Sequence, residues 1–327
     1  GQAPELLPLI RRYYVIVAAS SIFALGFNVL KQLTDGICRP VVGMVLLISG
    51  NLLNIFGNWL LIYGKLGLPE MGLRGAGLST LISRIVMLCA FSVYVFKSGA
   101  MKKYAVAIKE SLRSRVKMKH IFGMGYPIAI QTALETSTFT IAAIMVGWIG
   151  ITELAAHQVV MTISQLFFLL LLGLSFAISI LVSNAFGKKD ILEVRAYVRC
   201  GYAMTLGVSI VLSVLLYFFR YQVTGLFTDS PEVSSIAVSL IFMLFAYQFG
   251  DGLQLCFANV LKGLQDVKPI MLAAFVSYYI IAIPCAYLLG FKAGLGIFGV
   301  WLGFPIGLTL AGFFYLARYR RDIRSLT

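Results

Sequence analysis

The chain has 327 residues, of which 60% are hydrophobic and only 12% carry a charged side chain. An ordinary soluble domain is about 45–50% apolar and about 25% charged, so this composition excludes a typical soluble enzyme or binding domain. The formal net charge of +14 could suggest a nucleic-acid partner, but most basic residues stand in short segments between long apolar runs. That arrangement is typical of a helical membrane protein.

Nine apolar runs are each long enough to cross a bilayer as a helix, which needs roughly 20 residues. In chain order they are 13–31, 40–63, 75–97, 121–149, 158–186, 194–220, 233–261, 269–290 and 296–317. The predicted fold class is an all-α integral membrane protein with nine transmembrane helices.

Every second segment between the runs is rich in Lys and Arg, and the segments between those carry few basic residues. The densest basic cluster lies at 97–119, and the other segments on that side are also basic, including Lys262 after the seventh run and the tail after 317. Cytoplasmic loops are enriched in Lys and Arg, so this side and the C-terminus are predicted to be cytoplasmic. Nine spans then put residue 1 outside, yet GQAPELLPLI lacks the features of a signal peptide. We therefore expect further sequence before Gly1.

An internal repeat leads to the same expectation. Residues 28–35 read NVLKQLTD and residues 259–266 read NVLKGLQD, and a basic–Pro pair follows each copy. The first three spans therefore match the last three, and the middle three should have counterparts in about 110 residues before Gly1. The predicted parent has six plus six spans in two parallel halves, a plan known among transporters.

Two acidic residues stand well inside predicted spans, where an ionisable side chain is costly. Glu135 lies about 21 Å along the fourth span, close to the bilayer midplane, and Asp251 is similarly deep in the seventh. Gln131 shares a helix face with Glu135, and Tyr247 and Gln254 share one with Asp251. The two glutamines are candidates to line a substrate cavity. Carboxylate and phenol oxygens suit hard cations, and a desolvated carboxylate can carry an exchangeable proton, so we predict a Na⁺ or H⁺ site.

Other polar residues in the spans have less specific interpretations. A structural alternative for the acids is burial against Arg84, the basic residue that lies deepest inside a span. On the second span, Asn51, Asn54 and Asn58 form a stripe that fits interhelical hydrogen bonds or the lining of a substrate cavity.

Four residues are assigned to the outer membrane interface. Trp59, Trp148 and Trp301 fall at predicted outer helix ends, as an aromatic belt would place them. His157 stands at the predicted start of the fifth span, where a local hydrogen bond is favoured over a proton relay.

No enzyme signature is present. The sequence contains no Gly-rich loop ending in GK[ST], no Ser/His/Asp constellation and no C-x-x-C pair among its five cysteines. We predict no catalytic activity and no cofactor, with Na⁺ or H⁺ as a coupling ion.

Several segments resemble the multidrug and toxic compound extrusion (MATE) transporters. The stretch from FNVLKQLTDG to EMGLRGAG is similar to the family's fourth and fifth spans. PIAIQTALE (127–135), AAHQVV (155–160), FAYQFGDGLQ (245–254) and GVWLGFPIGL (299–308) resemble later segments in the same order. The resemblance covers essentially the whole chain and is nearest to the NorM-like bacterial branch.

This resemblance implies twelve helices in two lobes and cation-coupled export of drug-like, often cationic organic compounds by alternating access. Glu135 matches the acidic residue of the family's seventh span, and Tyr247 and Asp251 match the Tyr-x-x-x-Asp pair of the tenth, which belong to the cation-binding region in NorM-like members. The implied organisation is half of the N-terminal lobe at 1–97, a basic cytoplasmic linker at 98–120 and a complete C-terminal lobe at 121–327.

The resemblance also implies a cellular setting. We expect a multi-pass, monomeric protein of a bacterial inner membrane, in contact with small organic substrates and lipid but not nucleic acid. Two alternatives stay open. One is a lipid-linked saccharide flippase, which would carry a more basic cavity than Arg84 alone supplies. The other is a membrane fragment that transports nothing.

Overall fold

The computed structural model describes residues 7–67, 69–98 and 115–326. In these ranges the secondary structure is helical and includes no strand. Nine of the described helices are long and apolar enough to cross a membrane: α1 (Leu7–Gly36), α2 (Pro40–Ile62), α3 (Leu73–Lys97), α4 (Arg115–Ile149), α5 (Ile151–Gly187), α6 (Ile191–Gly225), α7 (Pro231–Gly263), α8 (Lys268–Lys292) and α9 (Gly296–Leu326). The predicted all-α membrane fold is confirmed for this part of the chain.

Most helices extend past the apolar runs that predicted them. α4 begins at Arg115 rather than 121, and α5 begins at Ile151 rather than 158, so that Gly150 alone separates the two. Backbone hydrogen bonding continues into polar turns at a helix end, whereas hydropathy stops with the apolar side chains.

The eighth helix changes its winding along its length. Within α8, Phe275–Ala282 and Leu288–Lys292 are π-helical, on either side of a short α-helical segment that holds Pro284. Proline has no N–H and its ring crowds the preceding turn, and a wider π turn accommodates both effects.

The chain divides into two compact units, Gly1–Met118 and Lys119–Thr327. This boundary falls inside the predicted linker 98–120, of which 99–114 lie outside the described residues. In the first unit, α3 packs against both α1 and α2. A small core joins them, in which the Phe27 and Phe91 rings lie 5.2 Å apart.

The second unit is built around α7. This helix packs against α5, α6 and α9, and every residue from 250 to 261 is buried. A helix covered on all faces is normally apolar throughout, because each polar group that it buries must find a partner inside the protein. Asp251 and Gln254 lie in this fully covered stretch and therefore mark it as more than a structural core.

The outer surface of the second unit is apolar. Leu169, Leu170 and Phe218 are each more than half exposed, at 55%, 57% and 67%. Large apolar surfaces of this kind are unusual in soluble monomers and are expected where lipid is the solvent.

Candidate functional site

Glu135 lies in the middle of α4 with its side chain half-buried. Gln131, one helical turn earlier, donates a hydrogen bond from Nε2 to Glu135 Oε2 over 2.8 Å. The Gln131 side chain is itself buried, and its Oε1 has no hydrogen-bond partner among the described residues. The amide therefore holds the carboxylate on one side and offers a free acceptor on the other.

Asp251 lies in the covered stretch of α7, between Tyr247 and Gln254. The three side chains are 2%, 3% and 1% exposed, respectively. The charge of Glu135 acts on Asp251, which puts the two carboxylates within electrostatic reach of each other. Buried carboxylates at such range repel, and they coexist readily when a proton, a metal cation or a basic side chain shares the space.

Two tyrosines that the sequence did not single out join this cluster. Tyr278 in α8 and Tyr315 in α9 are both within electrostatic reach of Glu135. The Tyr315 hydroxyl donates to the Ile270 carbonyl oxygen over 3.2 Å, whereas the Tyr278 hydroxyl has no partner in the described part of the chain. Tyr278 stands on a different helix from either acid, so periodicity along one helix could not have grouped it with them. The available signal was a phenol deep inside an apolar run.

Lys262 is the basic residue whose charge acts on Glu135. Its predicted position in a cytoplasmic loop is wrong, because α7 continues to Gly263 and keeps Lys262 in its last turn, half-buried. Arg84, the alternative partner considered for the acids, belongs to the first unit and donates from Nη1 to Ser20 Oγ over 2.6 Å.

A cavity of about 590 Å³, lined by both polar and apolar side chains, opens beside Glu135. Glu135 and Tyr247 line it, together with hydroxyl and amide side chains of α4 and α5: Thr132, Thr136, Thr140, Gln158, Ser164 and Gln165. Its volume falls within the range of cavities that hold drug-sized ligands, about 300–1,000 Å³. A second void of about 10 Å³ lies between Glu135 and Tyr278, close to the space that one water molecule needs.

Unpartnered polar atoms concentrate in this region. Gln254 Oε1, Gln248 Nε2 and the Tyr278 hydroxyl are buried, and none has a hydrogen-bond partner among the described residues. Buried polar atoms in proteins are normally paired with protein, water or ions. The interior around Asp251 is therefore arranged to receive water or a ligand.

An aromatic cluster covers Tyr247 and includes a residue that was placed wrongly. Trp301 was expected in an outer aromatic belt, but its side chain is fully buried and packs against Tyr247, Phe304 and His157, with ring centroids 6.5, 5.5 and 5.6 Å away. Trp59 and Trp148 are exposed, at 46% and 66%.

His157 also departs from its prediction. The side chain is 1% exposed rather than interfacial, because α5 begins at Ile151 and places it more than one turn inside the helix. Its Nδ1 makes no hydrogen bond to a described residue.

In the first unit, the asparagine stripe joins α2 to α3. Asn54 Nδ2 donates to Ser79 Oγ over 3.3 Å and to Thr80 Oγ1 over 3.4 Å. Asn58 donates to Asn54 Oδ1 over 3.3 Å within α2. Asn51 and Asn54 also line a cavity of about 300 Å³ that includes Arg84, so interhelical bonding and cavity lining occur in the same stripe.

Comparison with known proteins places these residues in a family context. The MatE family profile matches residues 127–288, a segment that contains Glu135, Tyr247 and Asp251. The chain is 30% identical over 320 residues to the multidrug resistance protein NorM of Aliivibrio fischeri, covering 96% of this chain and 69% of that protein. NorM of Photobacterium profundum is 31% identical over 314 residues, covering 94% and 68%.

Solved structures show the same fold. A crystal structure of a MATE protein in a bent conformation aligns with a TM-score of 0.87 at 20% identity, covering all of this chain and 71% of the other. An outward-facing multidrug resistance MATE family transporter aligns with a TM-score of 0.83 at 20% identity and 72% coverage. Sequence and fold agree, and the chain belongs to the MATE family of membrane transporters, which are not enzymes.

Proposed function

We propose that this chain exports drug-like, often cationic organic compounds in exchange for Na⁺ or H⁺, by alternating access across a bacterial inner membrane. The observation that carries the proposal is the pair of acids in the second unit, Glu135 and Asp251, which lie within electrostatic reach of each other, with Glu135 lining a cavity of about 590 Å³. The relatives named for multidrug resistance support drug-like substrates over the flippase alternative.

The chemistry follows from the charge of this site. With both acids ionised, their mutual repulsion in a buried setting favours uptake of a cation. Oxygen ligands from the carboxylates and the Tyr247 phenol suit Na⁺, and a proton on either carboxylate would relieve the same repulsion. A cationic substrate in the adjoining cavity competes for the same negative charge. Binding of the coupling ion therefore weakens the hold on the substrate and promotes its release.

The basic ends of the helices support an orientation with the C-terminus in the cytoplasm. Arg318, Arg320, Arg321 and Arg324 follow the last apolar run, and Lys188 and Lys189 follow α5. We include this orientation and a monomeric state in the proposal.

Charge-neutralising substitutions at the two acids test the proposal. We expect Glu135→Gln and Asp251→Asn, made in the complete reading frame and expressed in bacteria without other efflux pumps, to abolish cation-dependent efflux of a cationic dye. Membrane levels of the variants should match those of the wild type. Asp266→Asn is the matched control, because it removes a carboxylate in the same unit that pairs with Arg318 instead.

The coupling ion is identified by measuring efflux while Na⁺ is varied at constant pH and pH is varied at constant Na⁺. Efflux at the wild-type rate in both Glu135→Gln and Asp251→Asn would refute the assignment of the cation site. Wild-type protein that exports no dye and gains no thermal stability from Na⁺ or acid would favour the non-transporting alternative.

A further inference from the structure

A second, separate pocket lies where α6 begins and α9 ends. It measures about 540 Å³ and shares no lining residue with the cavity beside Glu135. Four arginines contribute to it: Arg195 and Arg199 from α6, and Arg320 and Arg324 from α9. We call this the basic pocket.

The positive charge of the basic pocket is concentrated. Within each helix the two arginines are four residues apart and so lie on one face, where like charges repel. None of the described residues that line the pocket is acidic. Among the described residues, no ion pair joins Arg195, Arg199 or Arg320 to a carboxylate. An anion in the pocket would relieve the repulsion.

Nearby carboxylates are already engaged by other residues. Asp266 and Asp322 both pair with Arg318, at 2.5 and 3.2 Å. Glu193 accepts a hydrogen bond from the Tyr197 hydroxyl over 2.6 Å and lies 4.0 Å from Lys188. These three carboxylates therefore have partners outside the pocket lining.

The remainder of the pocket is apolar and aromatic. Phe257 of α7 stands between Tyr202 of α6 and Tyr319 of α9, with ring centroids 5.4 and 5.8 Å away. Val198 and Leu316 complete the same surface. A small inorganic anion would use the arginines and leave this surface unused, whereas an amphiphile would use both parts.

The position of the basic pocket along the helices also fits an amphiphile. The apolar run of α6 begins at 194, so Arg195 and Arg199 lie in its first two turns. The apolar run of α9 ends at 317, just before Arg320 and Arg324, so all four arginines stand near one edge of the hydrocarbon. This edge belongs to the side predicted to be cytoplasmic, where basic pockets between helices bind anionic headgroups. Arginine guanidinium groups match phosphate oxygens with paired hydrogen bonds.

We propose that the basic pocket binds an anionic phospholipid, with the phosphate among the four guanidinium groups and an acyl chain along the surface of Val198, Phe257 and Leu316. This site is independent of cation coupling and of the exported compound. Lipid bound there would contact the ends of both α6 and α9, so the packing of these two ends would depend on the amount of anionic lipid in the membrane.

The test measures thermal unfolding of the purified protein, made from its complete reading frame, against increasing amounts of three probes. These are dioleoylphosphatidylglycerol, dioleoylphosphatidylcholine and soluble glycerol 3-phosphate. Ligand that binds only the folded state raises Tm with concentration, which yields an apparent affinity. We expect phosphatidylglycerol to raise Tm and the other two probes to leave it unchanged.

The variant Arg199→Gln/Arg320→Gln should weaken the apparent affinity for phosphatidylglycerol about 30-fold, because each basic residue near an anionic lipid surface contributes about 1 kcal/mol and 1.4 kcal/mol is a factor of ten. Lys188→Gln/Arg321→Gln is the matched control. It removes the same charge at the same end of the unit but outside the pocket lining, and its affinity should stay within about threefold of wild type.

Three results would overturn the proposal. The first is an equal Tm rise with phosphatidylcholine, and the second is a double pocket variant that binds phosphatidylglycerol as well as its control. The third is an equal rise with glycerol 3-phosphate, which would make the pocket a site for soluble phosphates. If the double variant unfolds, the single variants Arg199→Gln and Arg320→Gln replace it, and each should weaken binding about fivefold.

Discussion

The helices that carry the two copies of the internal repeat, α1 and α7, end in the same type of backbone turn, but the turn falls at different positions of the aligned repeat. In α1, the Arg39 N–H donates to the Thr34 carbonyl oxygen over 2.8 Å, and Cys38 adopts a φ of 57°. In α7, the Asp266 N–H donates to the Leu261 carbonyl oxygen over 3.0 Å, and Gln265 adopts a φ of 66°. Aligned on the repeat, the second helix stops one turn earlier than the first.

The charges of the two copies also differ in their partners. In the first, Lys31 Nζ lies 2.7 Å from Asp35 Oδ2 within the same helix. In the second, Asp266 has left the helix and pairs with Arg318 of α9, while the charge of Lys262 acts on Glu135 of α4. The same residues thus bond locally in one unit and connect neighbouring helices in the other.

A substitution at Gly263 should show the largest difference between the copies. A Cβ at this position would lie 2.9 Å from the Ser179 carbonyl oxygen of α5, and a backbone atom cannot move aside without shifting the helix. We expect Gly263→Val to lower the free energy of unfolding by about 2–3 kcal/mol. The corresponding Gln32→Val lies on an exposed surface of α1 and should cost only about 0.5 kcal/mol. Thermal unfolding in detergent measures both, and equal losses would contradict the close contact of α7 with α5.

Substitution of the two lysines of the repeat, Lys262 and Lys31, should have different effects on efflux. Lys262→Met removes a half-buried charge that acts on Glu135, and we expect efflux to fall about tenfold, the equivalent of about 1.4 kcal/mol. Lys31→Met removes a partly exposed pair within one helix, worth about 0.3–0.5 kcal/mol, so efflux should stay within about twofold of wild type. Dye efflux at matched expression is the measurement. A similar rate in both variants would show that Lys262 does not influence the acids.

Glycine substitutions in the turn should change the stability of the protein by similar amounts in both copies, and this is the smallest of the expected effects. Cys38 and Gln265 hold positive φ angles that cost a side chain about 1–2 kcal/mol and cost glycine almost nothing. Cys38→Gly and Gln265→Gly should each stabilise the protein by about 0.5–1 kcal/mol after the entropy of the unfolded chain is subtracted. Gln222→Gly, in the last turn of α6, is a control that should destabilise it by about 0.5 kcal/mol. Destabilisation by either turn substitution would contradict this account.

Features that depend on local sequence were predicted well. The nine spans, the absence of strands in the described ranges and the family follow from apolar runs and ordered motifs. Glu135 and Asp251 were found because an acid deep inside an apolar run is conspicuous without any knowledge of its neighbours. Their hydrogen-bonding and electrostatic partners on the same helix, Gln131 and Tyr247, follow from helical periodicity.

Features that depend on packing were missed or placed wrongly. Trp301 and His157 were assigned to an outer interface, but the helices that cover them bring them together in the core. Lys262 was assigned to a loop because hydropathy ends before the helix does. Tyr278 was overlooked because its proximity to Glu135 arises from the packing of α8 near α4, two helices that are distant in the chain.

The sequence by itself determined that this protein crosses the membrane as a bundle of helices, belongs to the MATE family and carries two acids inside its second unit. These properties are encoded in the composition and spacing of single segments, because the length and apolarity of each segment decide by themselves whether it can cross the bilayer as a helix. Only the tertiary structure decided that residues 250–261 of α7 are covered on every face, that Tyr278 and Lys262 stand within reach of Glu135, and that four arginines from α6 and α9 form one pocket. Those contacts join residues that are distant in the chain, and they are fixed only when particular helix faces pack against each other.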